Sequence, residues 1–365
     1  MISNLYLSAG SESYQQLQKF YYHYADLRTL NIRLKFRELR RAYYTELWRQ
    51  AALNVGAHFS EWRNGYSQIS RDGQTTMVYQ MRVMLNSNLA ERILIHKSLT
   101  QELLDRMHHP IPRFVLFTSG TIDVAKEFLD RNGRIVVKPA GGTSGGRGIT
   151  TSIDDNDKLA KAARMAARYD SKLIAEEHIQ GDSYRLLYLG GRFLDAIRRL
   201  PPIVSGDGKN TIRALVKKEN IDRLTSRPPR ALTPLLIDQD CNTRLRDLGL
   251  TANSVLDQGR SVRIKNVANE NDAAQNENVR EIVHPEVIES GRRIVCDMGL
   301  TLAGIDLQCA DISRPLVETG GRFIEVNAPV GIHYHYLIAN PQHGVRVAEI
   351  LLDYMFTHRE GVMAL

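Results

Sequence analysis

The sequence predicts a mixed α/β protein of two or three structural units, on three observations. A glycine-rich loop directly follows a strand-like run at 134–138, two further strand-like runs meet at Gly190-Gly191, and stretches of helical periodicity flank and separate them. With 365 residues, 43% of them hydrophobic, the chain can bury a sizeable core, and at about 150 residues per domain it divides into two or three units.

Residues 11–55 have helical periodicity. From Arg28 to Arg49 the basic residues Arg28, Arg33, Lys35, Arg37, Arg40, Arg41 and Arg49 stand against only Glu38 and Glu46, with Phe36, Tyr43, Tyr44 and Trp48 interleaved. Such interleaving occurs on surfaces that grip RNA by stacking and phosphate contact. Helical spacing favours the other arrangement, aromatics inward and arginines solvated, so nucleic acid is not the expected partner. Residues 56–85 change to short strand-like runs broken at Asn64-Gly65 and Asp72-Gly73, the second a hairpin signal. A helical pattern at 89–107 ends at His109-Pro110-Ile111-Pro112, and a domain boundary falls near residue 90.

The middle of the chain alternates. A strand at 134–138 is followed by the glycine loop at 141–148, a helix at 157–168 and a strand at 173–177. Runs at 184–189 and 192–197 form a hairpin about Gly190-Gly191. A turn at Gly206-Asp207-Gly208 precedes a helix from Thr211, 266–278 is polar and expected to be mobile, and His284 before Pro285 marks a helix boundary.

A net charge of +7 and a pI near 9.2 favour polyanionic company, which includes ATP as well as nucleic acid, anionic membrane and acidic peptides. Cys241, Cys296 and Cys309 are scattered without CxxC spacing, against a disulfide framework or a zinc site. No apolar run approaches the roughly 18 residues of a membrane span, and the first thirty residues lack a signal-peptide core, so a cytoplasmic protein is expected, with no membrane partner.

Two clusters carry chemistry. Lys138 closes a strand and Gly141, Gly142, Thr143, Ser144, Gly145 and Gly146 follow, offering backbone amides and an ammonium to one anion. This is not a Walker A loop, because Arg147-Gly148 stands where Lys-Ser or Lys-Thr is needed. A glycine loop by itself also fits a surface turn. Further on, Asp306 and Glu325 lie on two strand-like runs joined through Gly320-Gly321, with Asn327 two residues on. Paired on one face, two carboxylates and an amide oxygen suit Mg²⁺, which keeps several waters and bridges nucleotide phosphates.

The order Lys138 with its glycine loop, Ile174-Ala175-Glu176-Glu177-His178-Ile179, Asp306, then Glu325-Val326-Asn327 resembles the ATP-grasp fold. Within that class the chain is most similar to the ATP-grasp region of cyanophycin synthetase, over about residues 40–350. Tyr184-Arg185-Leu186-Leu187, Ser205-Gly206-Asp207-Gly208-Lys209-Asn210, Ala303-Gly304-Ile305-Asp306 and Asp311-Ile312-Ser313-Arg314-Pro315-Leu316 carry that similarity. The resemblance implies an ADP-forming ligase that uses ATP and Mg²⁺ to phosphorylate a carboxylate, which an amine then attacks. It implies an N-terminal helical and hairpin region (1–90), a central lid subdomain (91–175) and a C-terminal subdomain with the metal site (176–365). The nucleotide lies between the last two.

By the same resemblance Lys97 and Lys138 neutralise phosphates, the glycine loop closes over them, and Glu176, Glu177 and Ile179 frame the adenine. Asp182 or Ser183 holds the ribose, Asp306, Glu325 and Asn327 bind magnesium, and Arg198 or Arg199 serves the acyl phosphate. Substrates are expected to be an amino acid or short peptide and an amine, with ligation onto a longer peptide or a non-catalytic nucleotide-binding regulator as alternatives. A homodimer through the aromatic N-terminal helices is also expected.

The chain ends at Leu365, where the family continues into a Mur-ligase-like domain, and a stand-alone ligase is the expectation. Two stretches depart from the family's pattern: Lys265-Asn266-Val267-Ala268-Asn269 with the five residues after it, and Val330-Gly331-Ile332-His333-Tyr334-His335. Lys265, Asn269, His333 and His335 are therefore candidates for substrate contact, the two histidines sharing a face if their segment is extended.

Overall fold

The computed structural model describes residues 27–141, 148–266, 268 and 275–364. In chain order its elements are α1 (Leu27–Asn54), β1 (His58–Glu61), β2 (Ser67–Arg71), β3 (Gln74–Val78), α2 (Asn88–Ile95), α3 (Lys97–Arg106), β4 (Phe114–Phe117), α4 (Ile122–Asn132), β5 (Ile135–Pro139), β6 (Thr150–Ile153) and α5 (Asn156–Ala166). There follow β7 (Leu173–Glu177), β8 (Asp182–Leu189), β9 (Arg192–Arg199), β10 (Ile203–Ser205), α6 (Ile212–Thr225), α7 (Gln239–Asp247), β11 (Ser261–Arg263) and β12 (Glu277–Asn278). The chain closes with α8 (Pro285–Asp297), β13 (Leu302–Cys309), α9 (Leu316–Thr319), β14 (Arg322–Asn327), α10 (Val347–His358) and β15 (Met363–Ala364). No helix among the described residues is long and apolar enough to cross a membrane.

Two compact units result. Of the described residues, the first gathers those in 27–34, 95–98 and 112–178; the second takes those in 35–94, 99–111 and 179–364. In the first, an antiparallel sheet in the order β4-β7-β5-β6 packs against α4 and α5. Period-two alternation sends Ile135, Val137, Leu173 and Ala175 into that core with Phe128, Leu129 and Leu159. Ala162, Ala163 and Ala166 are small enough to bring α5 close to the sheet. Asp155 caps α5 by accepting from the Lys158 amide at 2.7 Å. Lys138 and Glu176 fall on the other sheet face.

The second unit is built on an antiparallel sheet in the order β12-β9-β8-β13-β14. Its strand β13 pairs with the central strand β8 along its whole length and with the edge strand β14 on the other side. One face is covered by α8, where Gly291 leaves room for Tyr188: a Cβ there would sit 2.2 Å from the tyrosine oxygen. The other face is apolar at one end, where Leu187, Leu189 and Leu302 pack with Tyr44 and Trp48 of α1 and Leu351 and Leu352 of α10. A small sheet β1-β2-β3-β15 flanks that core, and α6, α7, β10 and β11 enclose a core of their own around Ile212, Leu245, Leu256 and Ile264.

Several expected elements are present: the hairpins at Asp72-Gly73 and Gly190-Gly191, whose turn residues all have positive φ, the helix capped by Thr211, and the boundary at His284, whose ring accepts from the Glu286 amide. The aromatics of α1 do turn inward, with Tyr44 and Trp48 buried and Lys35, Arg37, Arg41 and Arg49 exposed. Three elements differ from expectation. The helix at 89–107 is broken at His96, which forms a bridge with Gly141 while the Ser98 amide donates to the Ala140 carbonyl. The connection through Gly320-Gly321 contains α9 and is not a tight turn. Of the polar stretch 266–278, Asn276 is buried and β12 extends the sheet edge beside β9.

The entry into β8 depends on Gly181, with φ +122°, where an added Cβ would lie 2.0 Å from the Cys309 carbonyl oxygen. Gly181→Ala is expected to cost about 3 kcal/mol or more. Gly320→Ala, at φ +64° and ψ +18° in the left-handed region with nothing within 4 Å, should cost only about 1 kcal/mol. Urea midpoints of the two variants give the comparison.

Candidate functional site

The residue pairings of the second unit's sheet decide which side chains share a face. Ser183 lies opposite Arg199, Arg185 opposite Ile197 and Asp306, Asp306 opposite Glu325, and Gly304 opposite Asn327. Partners directly opposite point the same way. One face therefore carries Ser183, Arg185, Arg199, Asp306, Glu325 and Asn327 together.

At its centre is a buried ion cluster. Arg185 donates through Nε to Asp306 Oδ1 at 2.7 Å and through Nη2 to Oδ2 at 2.9 Å. Arg199 Nη1 donates to the same Oδ2 at 2.8 Å, and its Nη2 to the Ala268 carbonyl at 2.8 Å. The Tyr334 ring lies beneath both guanidiniums, 5.4 and 5.9 Å from centroid to charge. Gly304 lies close against Val330, since a Cβ there would sit 3.1 Å from the valine Cγ1. Burial alone would raise the Asp306 pKa, but attraction from Arg185 and Arg199 and their hydrogen bonds holds it below the ordinary carboxylate value. Burial likewise works against the Arg185 charge, and Asp306 more than offsets it.

Arg198 and Asp182 lie on the opposite face. Arg198 is ion-paired with Glu277 and lies 3.6 Å from Asp182. Of the two arginine alternatives Arg199 is thus the one beside Asp306, and of the two ribose alternatives Ser183 shares its face.

In the first unit Lys138 and Glu176 form a buried ion pair at 2.7 Å, on diagonal positions of neighbouring strands. Glu177 pairs with Arg113 at 3.2 Å nearer the surface. Lys97 begins α3, and Gly141 follows Ala140 at the end of β5. Gly142, Thr143, Ser144, Gly145, Gly146 and Asn269 lie outside the described residues. Ile179 is buried in the second unit.

The substrate candidates are all deeply buried where they are described. Lys265 is 1% exposed and binds Asp238, the N-cap of α7, at 2.6 Å. His333 and His335 do not share an extended face: residues 332–335 form a 3₁₀ turn, which sends successive side chains about 120° apart. His333 Nδ1 is 2.7 Å from the Tyr44 hydroxyl, and His335 Nδ1 is 2.6 Å from Asp195. Burial, then Arg40, Arg185 and His335, push the His333 pKa well below its ordinary value, so the ring is neutral.

The residues suit magnesium carried by a nucleotide. Among the described residues no group of three or more His, Cys, Asp or Glu side chains could hold a metal ion by itself. Two carboxylates and an amide leave the remaining positions to water and phosphate, as Mg²⁺ prefers. The Asn327 amide nitrogen is buried with no hydrogen-bond partner among the described residues, and rotating the amide would put its oxygen there instead. Sequence reading did not single out Arg185, Asp195 or Tyr334. The Tyr-Arg-Leu-Leu run carried a signal for Arg185, but Asp195 and Tyr334 have none without the pairing.

The chain has the ATP-grasp fold. It resembles the ATP-grasp region of cyanophycin synthetase: it is 30% identical over 302 residues to the enzyme of Trichormus variabilis and 30% over 296 residues to that of Synechocystis, covering 81% and 76% of this chain. The glutathione biosynthesis bifunctional protein GshAB of Mannheimia succiniciproducens is 28% identical over 269 residues, 72% of this chain. The chain spans about a third of these relatives' length, 32%, 33% and 33% respectively. The crystal structure of a bifunctional glutathione synthetase from Pasteurella multocida shares the fold with a TM-score of 0.57 at 21% identity, over 85% of this chain and 43% of that one. No model of a known protein family matches.

Arg185→Met removes one partner of a carboxylate that stays buried, and is expected to cost about 3–5 kcal/mol, read as a lowered urea midpoint. His333 makes a pH prediction. It is neutral when folded, whereas the unfolded chain takes a proton near its ordinary value of 6.5. Its contribution is therefore complete above that pH and lost below it, at up to about 1.4 kcal/mol per pH unit. His333→Gln should flatten the fall in stability between pH 7 and pH 5.

Proposed function

We infer that the protein joins a carboxylate to an amine with Mg·ATP, through an acyl phosphate, releasing ADP and phosphate. The observation that carries this is the shared face of Arg199, Asp306, Glu325 and Asn327 in a chain 30% identical to cyanophycin synthetase over 302 residues. Lys97, Lys138 and the loop from Gly141 to Gly146 bind the phosphates. Glu176, Glu177 and Ile179 frame the adenine, and Ser183, ahead of Asp182, meets the ribose. Asp306, Glu325 and Asn327 hold the magnesium, which when bound neutralises charge on the transferred phosphoryl group.

The protein's share of the work is positioning and charge compensation. Arg199 is held at the site by Asp306 and the Ala268 carbonyl, so its charge is in place before the oxyanion of the tetrahedral intermediate develops. Lys138 is desolvated beside Glu176 and must turn from that carboxylate to a phosphate when nucleotide enters. The substrates fall in the class of amino acids or short peptides.

ADP release with Mg·ATP and a pool of amino acids tests the reading. Turnover that requires both a carboxylate and an amine, and that falls at least about 100-fold in Lys138→Ala and in Glu325→Ala, is expected. Folded wild-type protein that binds no ATP would overturn it.

A further inference from the structure

The face that carries Arg199 and Asp306 holds another polar group that the nucleotide and metal roles leave unused. Asp195 lies on the same strand and face as Arg199, four residues back, or roughly 13 Å at ~3.3 Å per residue. Its Oδ2 is 2.6 Å from Nδ1 of His335, and its Oδ1 accepts from Asn278 Nδ2 at 2.6 Å and from the Ala196 amide at 2.9 Å. Both side chains of the pair are 0% exposed. A carboxylate only accepts, so Nδ1 carries a hydrogen, and in the Nδ1–H tautomer of the ring Nε2 offers a lone pair.

That Nε2 is buried and has no hydrogen-bond partner among the described residues. The same holds for Oδ1 of Asn276, a residue 1% exposed. Asn276 is tied to the same corner, because its carbonyl accepts from the Ala339 amide and Asn278, two residues on, binds Asp195. Buried acceptors left unmet cost free energy that an apolar side chain would avoid, so a resting site with two of them is matched to a ligand that donates. On its other side His335 adjoins Tyr334, whose ring lies under Arg185 and Arg199.

We propose that this corner receives the amine substrate, with His335 Nε2 accepting from its nitrogen. This rests on the ligase reading above. As the nitrogen lone pair forms the bond to the acyl carbon, the bond from that carbon to the phosphate oxygen breaks and its electron pair leaves with phosphate. The proton shed by the nitrogen passes to Nε2, the resulting imidazolium faces the Asp195 carboxylate, and the proton leaves to solvent with product release. Asp195 acts through His335 as a positioning residue that fixes the ring's tautomer.

The test compares wild type, His335→Gln and Asp195→Asn, with Mg·ATP and an equimolar pool of the twenty amino acids, with and without hydroxylamine. Hydroxylamine is a nitrogen nucleophile largely unprotonated at neutral pH, so it captures the acyl phosphate as hydroxamate without a protein base. Expected is a loss of about 100-fold in pool-dependent ADP release in both variants, with hydroxamate formation kept within a few-fold of wild type. A structural histidine would lower both rates together, and that result, or no loss at all, overturns the proposal. Wild type that forms neither ADP nor hydroxamate removes the ligase reading itself. Should both variants fail to fold, ¹⁵N-histidine spectra of wild type decide: the Nε2 resonance of His335 must move when the active amino acid is added with ADP, and an unmoved resonance sinks the idea.

Discussion

Asp306 sits buried within the sheet of the second unit, on β13, with guanidiniums from the adjoining strand β8 and from β9 beyond it on its oxygens. A carboxylate in that position is tolerable only when paired, and an arginine beside it only when the carboxylate is charged. Each holds the other in its ionised form. Arg185, Arg199 and Asp306 thereby lock β8, β9 and β13 in one register, and that register is what puts Glu325 and Asn327 beside them. Tyr334 under the two charges ties the turn after β14 to the same cluster.

The division of the sheet into an apolar and a polar end follows from this lock. At Leu187 and Leu189 the face meets the aromatic stripe of α1 and the leucines of α10, which close it to water. A few residues along the same strands the side chains become Arg185 and Ser183, and the face is free to meet an anion. Helix α1 buries Tyr44 and Trp48 at the apolar end while Lys35, Arg37, Arg41 and Arg49 are exposed. In the first unit the same economy appears on a smaller scale. Alternation gives one face of β5 and β7 to the helices and keeps Lys138 and Glu176 for the other.

Much of this is legible in the chain. Strands β5, β7, β8 and β9 lie within a residue or two of where composition and alternation place them, whereas β6 is not among the strands expected from sequence. The motifs at Lys138, Asp306 and Glu325 suit a nucleotide and a divalent ion by residue chemistry, and the resemblance to the ATP-grasp class turns this into an expectation of roles. The histidines were harder. Alternation suggested a shared face for His333 and His335, but a 3₁₀ turn separates them, and their partners, Tyr44 and Asp195, are 289 and 140 residues away in sequence. No local pattern encodes contacts of that separation.

The choice between Arg198 and Arg199 shows where the sequence stops. The hairpin at Gly190-Gly191 sets Leu189 opposite Arg192, and an unbroken ladder from there would put Ser183 opposite Arg198. A bulge between Leu187 and Tyr188 adds one residue to the count, so Ser183 faces Arg199. One residue of slip moves every later side chain to the other side of a sheet. By itself the sequence determined the elements, the turns and the kind of chemistry their residues can do. Only the tertiary structure decided which arginine meets Asp306, because that depends on a bulge fixed by packing and charge on both faces of the sheet.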